Sequence, residues 1–309
     1  MLQLKAGVLL AITLAGLVVV YISNSMFAKK ISKTNADRYV YLITQSLICA
    51  IGVIVVSGGV GEVSLYSVIC GMMFGLTAFF QMWFNLKALE IGPFSYTAVI
   101  ISLSAVIPTL SGIFWNETIS FMQMIGIVLM VICILFSVDK DNSQKKMSTK
   151  WLVYSLASSV LNGVAGILQK IHQTSPYKDE TTIYVVAAMS AMVLLGAVML
   201  IAAKARGKNS RESTITFDFK KASHILIPVS AGVALSFCHV INLNLVGRLD
   251  AAVFFPIGNI CPLVLTTFAA MILFKERLSA RRWVGIAIGI LSTLFVSGVM
   301  GTLVERMFG

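Results

Sequence analysis

The sequence predicts an all-α membrane protein of ten transmembrane helices arranged as two inverted five-helix repeats. Three observations predict it: an apolar composition, ten separated hydrophobic runs of spanning length, and a match of the chain to itself at a fixed offset. Of the 309 residues, 58% are apolar and 12% charged, and mean hydropathy is +0.90. Soluble domains are about 45–50% apolar and about 25% charged, so a soluble enzyme and a disordered tail are both excluded. Lysine and arginine number 24 against 13 acids, a net charge of +11. In a soluble chain that surplus points to nucleic acid. Here the charges lie between apolar runs and form no basic face, so no nucleic-acid partner is expected.

A helix needs ~20 mostly apolar residues to cross the hydrocarbon core. Such runs lie near 5–27, 38–57, 66–88, 93–115, 120–138, 151–172, 181–203, 222–246, 251–274 and 280–300. Lys29, Lys30 and Lys33 end the first run, and Gly58, Gly59 and Glu62 separate the second from the third. Glu90-Ile91-Gly92-Pro93 and Asn116-Glu117-Thr118 bound the fourth. The longest polar breaks, 139–150 and 204–221, are too short for a soluble domain. The runs lack period-2 alternation and are about twice as long as a barrel strand, which excludes a β-barrel. The first run ends in Tyr21, Ser23, Asn24 and Ser25 rather than a small-residue cleavage site, so it is expected to be a retained helix. All five cysteines fall inside apolar runs without disulfide or metal spacing. Neither a cofactor nor a metal site is expected.

Ten spans make the loops alternate between the two faces. Loops after the odd-numbered spans carry 19 of the 24 Lys and Arg residues. The other face, with both termini, carries Lys5, Lys170, Lys178, Arg248 and Arg306. Positive charge marks the cytoplasmic side, so the odd-numbered loops are expected inside and both termini outside, in a multi-pass protein of the cell membrane.

Shifting the chain by 159 residues sets Asn85-Leu86 on Asn244-Leu245 and Glu117-Thr118-Ile119-Ser120 on Glu276-Arg277-Leu278-Ser279. Gly126-Ile127 falls on Gly285-Ile286 in the same register. The predicted organisation is a first repeat over 1–138, a cytoplasmic linker over 139–150 and a second repeat over 151–309. Five spans per repeat is odd, so the halves are inverted in the membrane. Inverted halves can rock about a midplane site and give alternating access.

Each half has a fourth span, a short turn holding Glu and Ser, and a Gly-rich last span. This arrangement resembles the drug/metabolite transporter superfamily. Leu273-Phe274-Lys275-Glu276-Arg277-Leu278-Ser279, followed by Trp283-Val284-Gly285-Ile286-Ala287-Ile288-Gly289, is similar to the end of an EamA-type domain. Leu89-Glu90-Ile91-Gly92-Pro93 and Glu117-Thr118-Ile119-Ser120 look like the corresponding pieces of a first copy, and Ser23-Asn24 also fits. The resemblance implies a ten-helix secondary transporter with a cavity lined by spans 1–4 and 6–9, often an exporter of amino acids or other metabolites.

Polar side chains are costly in lipid and should face the interior. Span 6 carries Ser155, Ser158, Ser159, Asn162, Gly166 and Gln169 at three- and four-residue steps. Span 3 carries Thr77, Gln81 and Asn85, with Trp83 and Phe84 beside them; span 8 carries Gly232, Ser236, His239 and Asn242; span 9 carries Phe255, Asn259, Pro262 and Thr266. The candidate substrate-binding residues are Gln81, Trp83, Asn162, His239, Asn242 and Asn259. The bland alternative is that these amides only bond neighbouring helices, at ~0.6 kcal/mol each. His239 is the one clearly intramembrane ionisable group, either a neutral structural imidazole or a proton carrier. No Asp or Glu lies inside a span, which disfavours cation/proton antiport through an embedded carboxylate. Pro108, Pro256 and Pro262 interrupt backbone hydrogen bonding in spans 4 and 9. Gly71-x-x-x-Gly75 and Gly285-x-x-x-Gly289 permit close helix approach, within one chain first and between chains second.

No catalytic triad, nucleophile dyad or phosphate loop appears, so no catalytic residue is assigned. The expected function is secondary transport of a small neutral or zwitterionic, amino-acid-like metabolite by alternating access, in the direction of export. A sugar permease or lipid flippase of the same fold is the alternative, and an intramembrane lipid-modifying enzyme is disfavoured. The expected partners are the solute and the bilayer, for a monomer or homodimer.

Overall fold

The computed structural model describes residues 6–111, 120–137, 148–206, 214–218, 220–246 and 280–296, with isolated positions between 262 and 275. The first three runs form α1 (Ala6–Lys30), α2 (Asn35–Ser57) and α3 (Leu65–Ile91). The fourth holds α4 (Phe94–Ser102), a 3-10 turn (Leu103–Ala105) and α5 (Val106–Ser111), and the fifth is α6 (Phe121–Ser137). Runs six to eight are α7 (Thr149–Gln173), α8 (Thr181–Arg206) and α9 (Ala222–Val246), and the tenth is α10 (Ala280–Val296). Most of the ninth run, Asn259 and Pro256 included, lies outside the described residues, as does most of the linker. No strand occurs among the described residues.

Among the described residues, α1, α2, α3, α7, α8 and α9 are long and apolar enough to cross a bilayer. Their outward faces carry Ile51, Val55, Leu194 and Ile201, all well exposed, as lipid-facing positions should be. The helix starts are capped by hydroxyls. Thr34, Ser64 and Ser148 accept from the backbone N–H groups of Asp37, Ser67 and Trp151 at 3.1, 3.1 and 3.2 Å. Gly58 ends α2 with φ +76°, a left-handed cap that glycine adopts without a Cβ clash.

The fourth run is interrupted, as its proline led one to expect. Pro108 cannot donate to the carbonyl of Ser104, and the chain tightens into the 3-10 turn one helical turn earlier. The break sets Ser104 where it faces the centre of the bundle.

The main packing pairs are α1 with α9, α2 with α8 and α9, α3 with α7 and α8, and α6 with α10. Each joins a helix before the linker to one after it. Gly71 and Gly75 lie against the backbone carbonyls of Tyr184 and Ala188 on α8, where an added Cβ would collide. The first small-residue motif is therefore an intramolecular contact. Gly285 and Gly289 serve α6 similarly: Cys133 Sγ lies 3.2 Å from the Gly285 carbonyl oxygen and 3.1 Å from where a Gly289 Cβ would sit. Phe27, Tyr41, Phe79 and Leu86 are fully buried at the centre of the larger packed group.

Candidate functional site

A cavity of about 220 Å³ opens at the centre of that group. Helix α1 supplies Thr13, Tyr21 and Asn24; α2 supplies Gln45 and Ser46; α3 supplies Phe74, Gln81, Met82 and Asn85. The broken fourth run adds Ser104 and Pro108, α7 adds Asn162 and Gln169, α8 adds Met189 and Met192, and α9 adds His239 and Asn242. The α6–α10 pair contributes no described residue to the lining.

Four of the six sequence candidates meet here: Gln81, Asn162, His239 and Asn242. Gln81 Nε2 donates to Ser158 Oγ at 3.1 Å, and that hydroxyl donates to the Gln81 carbonyl at 3.0 Å, locking α3 to α7. Asn162 Nδ2 donates to Ser104 Oγ at 2.7 Å, which ties α7 to the broken fourth run. These two amides therefore bond neighbouring helices and line the cavity as well. His239 sets its ring edge-on to Phe74, with centroids 6.1 Å apart. Trp83 does not line the cavity; Lys87 Nζ sits over its ring at 4.3 Å, a cation–π contact. Asn259 falls outside the described residues.

Asn24 and Gln45 are lining residues that the polar-stripe argument did not single out. Neither has an amide or a Ser or Thr hydroxyl three or four residues away, so no stripe marks it. The only local signal is an amide in the middle of a spanning run, costly unless it faces the interior. Asn24 Oδ1 accepts from the Tyr41 hydroxyl at 2.6 Å while its Nδ2 points to Met82 Sδ at 3.4 Å. Met82, Met189 and Met192 carry no polar signature, and they supply soft, adaptable surface.

Two properties define the chemistry. No Asp, Glu, Lys or Arg lines the cavity among the described residues. Four lining residues also carry a buried side-chain oxygen without a partner: Thr13 Oγ1, Gln45 Oε1, Asn85 Oδ1 and Asn242 Oδ1. Buried polar atoms are normally paired, so these four mark lining residues with unfilled hydrogen-bonding capacity just behind the cavity surface.

A search of curated proteins gives no match. A solved crystal structure superposes on 98% of this chain and 99% of its own, with TM-score 0.62 and 14% identity, which shows a shared fold. The apolar spanning helices make this a multi-pass membrane protein. Residues 149–298, just under half of the chain, match the EamA-like transporter family, which belongs to the drug/metabolite transporter superfamily.

Proposed function

We propose that the protein is a secondary transporter that moves a small neutral or zwitterionic, amino-acid-like metabolite by alternating access. The observation that carries this reading is the cavity, with amides and hydroxyls set among apolar side chains, no charged side chain among the described lining residues, and walls built by helices of both halves. A net charge entering a low-dielectric site without a countercharge would be strongly disfavoured. A solute with N–H or O–H groups is met by Gln45, Asn85 and Asn242, whose buried, unpaired oxygens reach it by a turn of the side chain, while Phe74, Tyr21 and the methionines accommodate an apolar part. Gln81, Asn162, His239 and Asn242 are the contacts proposed for it, with Asn259 and Trp83 retained from the sequence pattern.

Ten spans in two inverted repeats, over 1–138 and 151–309, are part of the proposal. The packing supports it: exchanging α1 with α7, α2 with α8, α3 with α9 and α6 with α10 maps the main contact pairs onto one another. Under this exchange α1–α9 becomes α7–α3, α2–α9 becomes α8–α3, and α2–α8 and α6–α10 are unchanged. Orientation with the odd-numbered loops inside follows from the charge asymmetry, and outward transport rests on the family resemblance alone.

The test is release of neutral and zwitterionic metabolites from loaded proteoliposomes. Asn162→Leu should abolish release, because it removes the amide and leaves Ser104 unpaired at the cavity wall. Stabilisation by a lipid, with no small polar solute either stabilising the protein or being released, would overturn the reading in favour of a flippase.

A further inference from the structure

Two carboxylates make equivalent joints at opposite ends of the bundle. Asp37 lies in the first turn of α2 and is completely buried. Its Oδ1 accepts from the backbone N–H groups of Thr216 and Phe217 at 2.7 and 2.9 Å. Its Oδ2 accepts from the Thr216 hydroxyl at 2.6 Å and the Lys33 N–H at 3.1 Å. Glu180 immediately precedes α8, and its Oε2 accepts from the backbone N–H and the hydroxyl of Ser64 at 3.0 and 2.5 Å.

The chemistry is the same at both ends. A carboxylate at the start of the second helix of one half takes the N–H and the hydroxyl of a single Ser or Thr in the other half. In each case that Ser or Thr precedes the third helix of its own half, α3 after Ser64 and α9 after Thr216. The exchange of halves that maps the packing pairs also maps one joint onto the other. Helix α2, 23 residues and about 35 Å long at 1.5 Å per residue, separates the two ends. Each carboxylate lies at the positive, N-terminal end of a helix dipole.

We propose that Asp37–Thr216 and Glu180–Ser64 are paired latches, each holding shut the end of the cavity at its own face. Opening toward one face releases that face's latch and leaves the other made. A carboxylate joint at the membrane surface suits this work, since its hydrogen bonds exchange for bonds to water when it opens. The charge asymmetry assigns the Asp37 latch to the cytoplasmic face and the Glu180 latch to the outer face. This inference rests on the alternating-access reading above.

The test uses the full chain with its five cysteines replaced and one cysteine introduced in the cavity wall by Ala165→Cys. A membrane-impermeant maleimide is applied to right-side-out and to inverted vesicles. Asp37→Asn should raise the labelling rate severalfold from the Asp37 face and lower it from the other, and Glu180→Gln should do the reverse. Thr216→Val and Ser64→Ala keep the backbone N–H, so they should give the same biases more weakly and keep the test open if a carboxylate variant does not fold. Equal changes at both faces, or no change, would overturn the latches and leave transport standing. Labelling from neither face in the parent and in every variant would instead sink the alternating-access reading itself.

Discussion

At the Asp37 end the joint is enclosed; at the Glu180 end its counterpart is half open to solvent. Asp37 gathers four hydrogen bonds and lies beside the Arg38–Glu90 ion pair, in which Arg38 is almost fully buried and also bonds Asn35 Oδ1 at 2.7 Å. Glu180 borders a surface hollow that it shares with Glu62 and Asp179. Beneath it runs a chain of neutral groups. Ser64 Oγ lies 3.2 Å from Ser67 Oγ, which lies 2.9 Å from His172 Nε2. Gln173 Nε2 donates to His172 Nδ1 at 3.3 Å, so Nε2 carries the ring proton and donates to Ser67. One connectivity thus occurs in two environments, and the difference lies in how much would be left unpaired on opening. Water replaces the Ser64 donors readily, whereas the donors around Asp37 sit partly inside protein.

That contrast orders the expected effects. Asp37→Ala should be the most damaging, because it strands several donors at once; a loss of about 3 kcal/mol is expected, read as a fall in the thermal unfolding midpoint in detergent. Equal midpoints for Asp37→Ala and Glu180→Ala would erase the distinction. Glu90→Ala comes next, at about 2–3 kcal/mol, since it leaves the Arg38 charge with no carboxylate beside it. A Glu90→Ala midpoint no lower than that of an exposed loop variant such as Lys178→Ala would remove the ion pair from the account. Ser67→Ala should cost about 1 kcal/mol by freeing the His172 N–H, and denaturant unfolding can resolve that.

The smallest effect is one of pH. The Ser64 hydroxyl, aided by Ser67 and the Ser64 N–H, holds the Glu180 carboxyl below its usual value of 4.5. A depressed carboxyl contributes stability above its unfolded value and loses that contribution as pH falls through the depressed one. Between about pH 6 and pH 3 the parent midpoint should fall slightly more than that of Glu180→Gln. Parallel curves would mean that the joint adds nothing to stability.

The six long apolar helices among the described residues were legible in the chain, because lipid demands long apolar runs and polar breaks, and both are local. The span-6 stripe was legible for the same reason: Ser155, Ser158 and Ser159 are buried, and Asn162 and Gln169 line the cavity. The interruption of the fourth run was legible in Pro108, but not that it takes the form of a 3-10 turn at Leu103–Ala105. Asp37 and Glu180 stand at span boundaries, where nothing beside them in the chain points to Thr216 or Ser64. Trp83 followed its stripe neighbours in sequence, but the helix face it occupies turns it toward Lys87.

By itself the sequence determined the membrane class and the six long apolar helices among the described residues, both properties of composition and local hydropathy. Only the tertiary structure decided which helices meet, that Gln81 and Asn162 spend their amide donors on neighbouring helices, and that Asn24 and Gln45 face the same space. It alone joined Asp37 to a residue 179 positions away and Glu180 to one 116 positions away. Hydrogen bonds of that span have no periodic trace, because they are set by where whole helices pack rather than by what lies beside each residue in the chain.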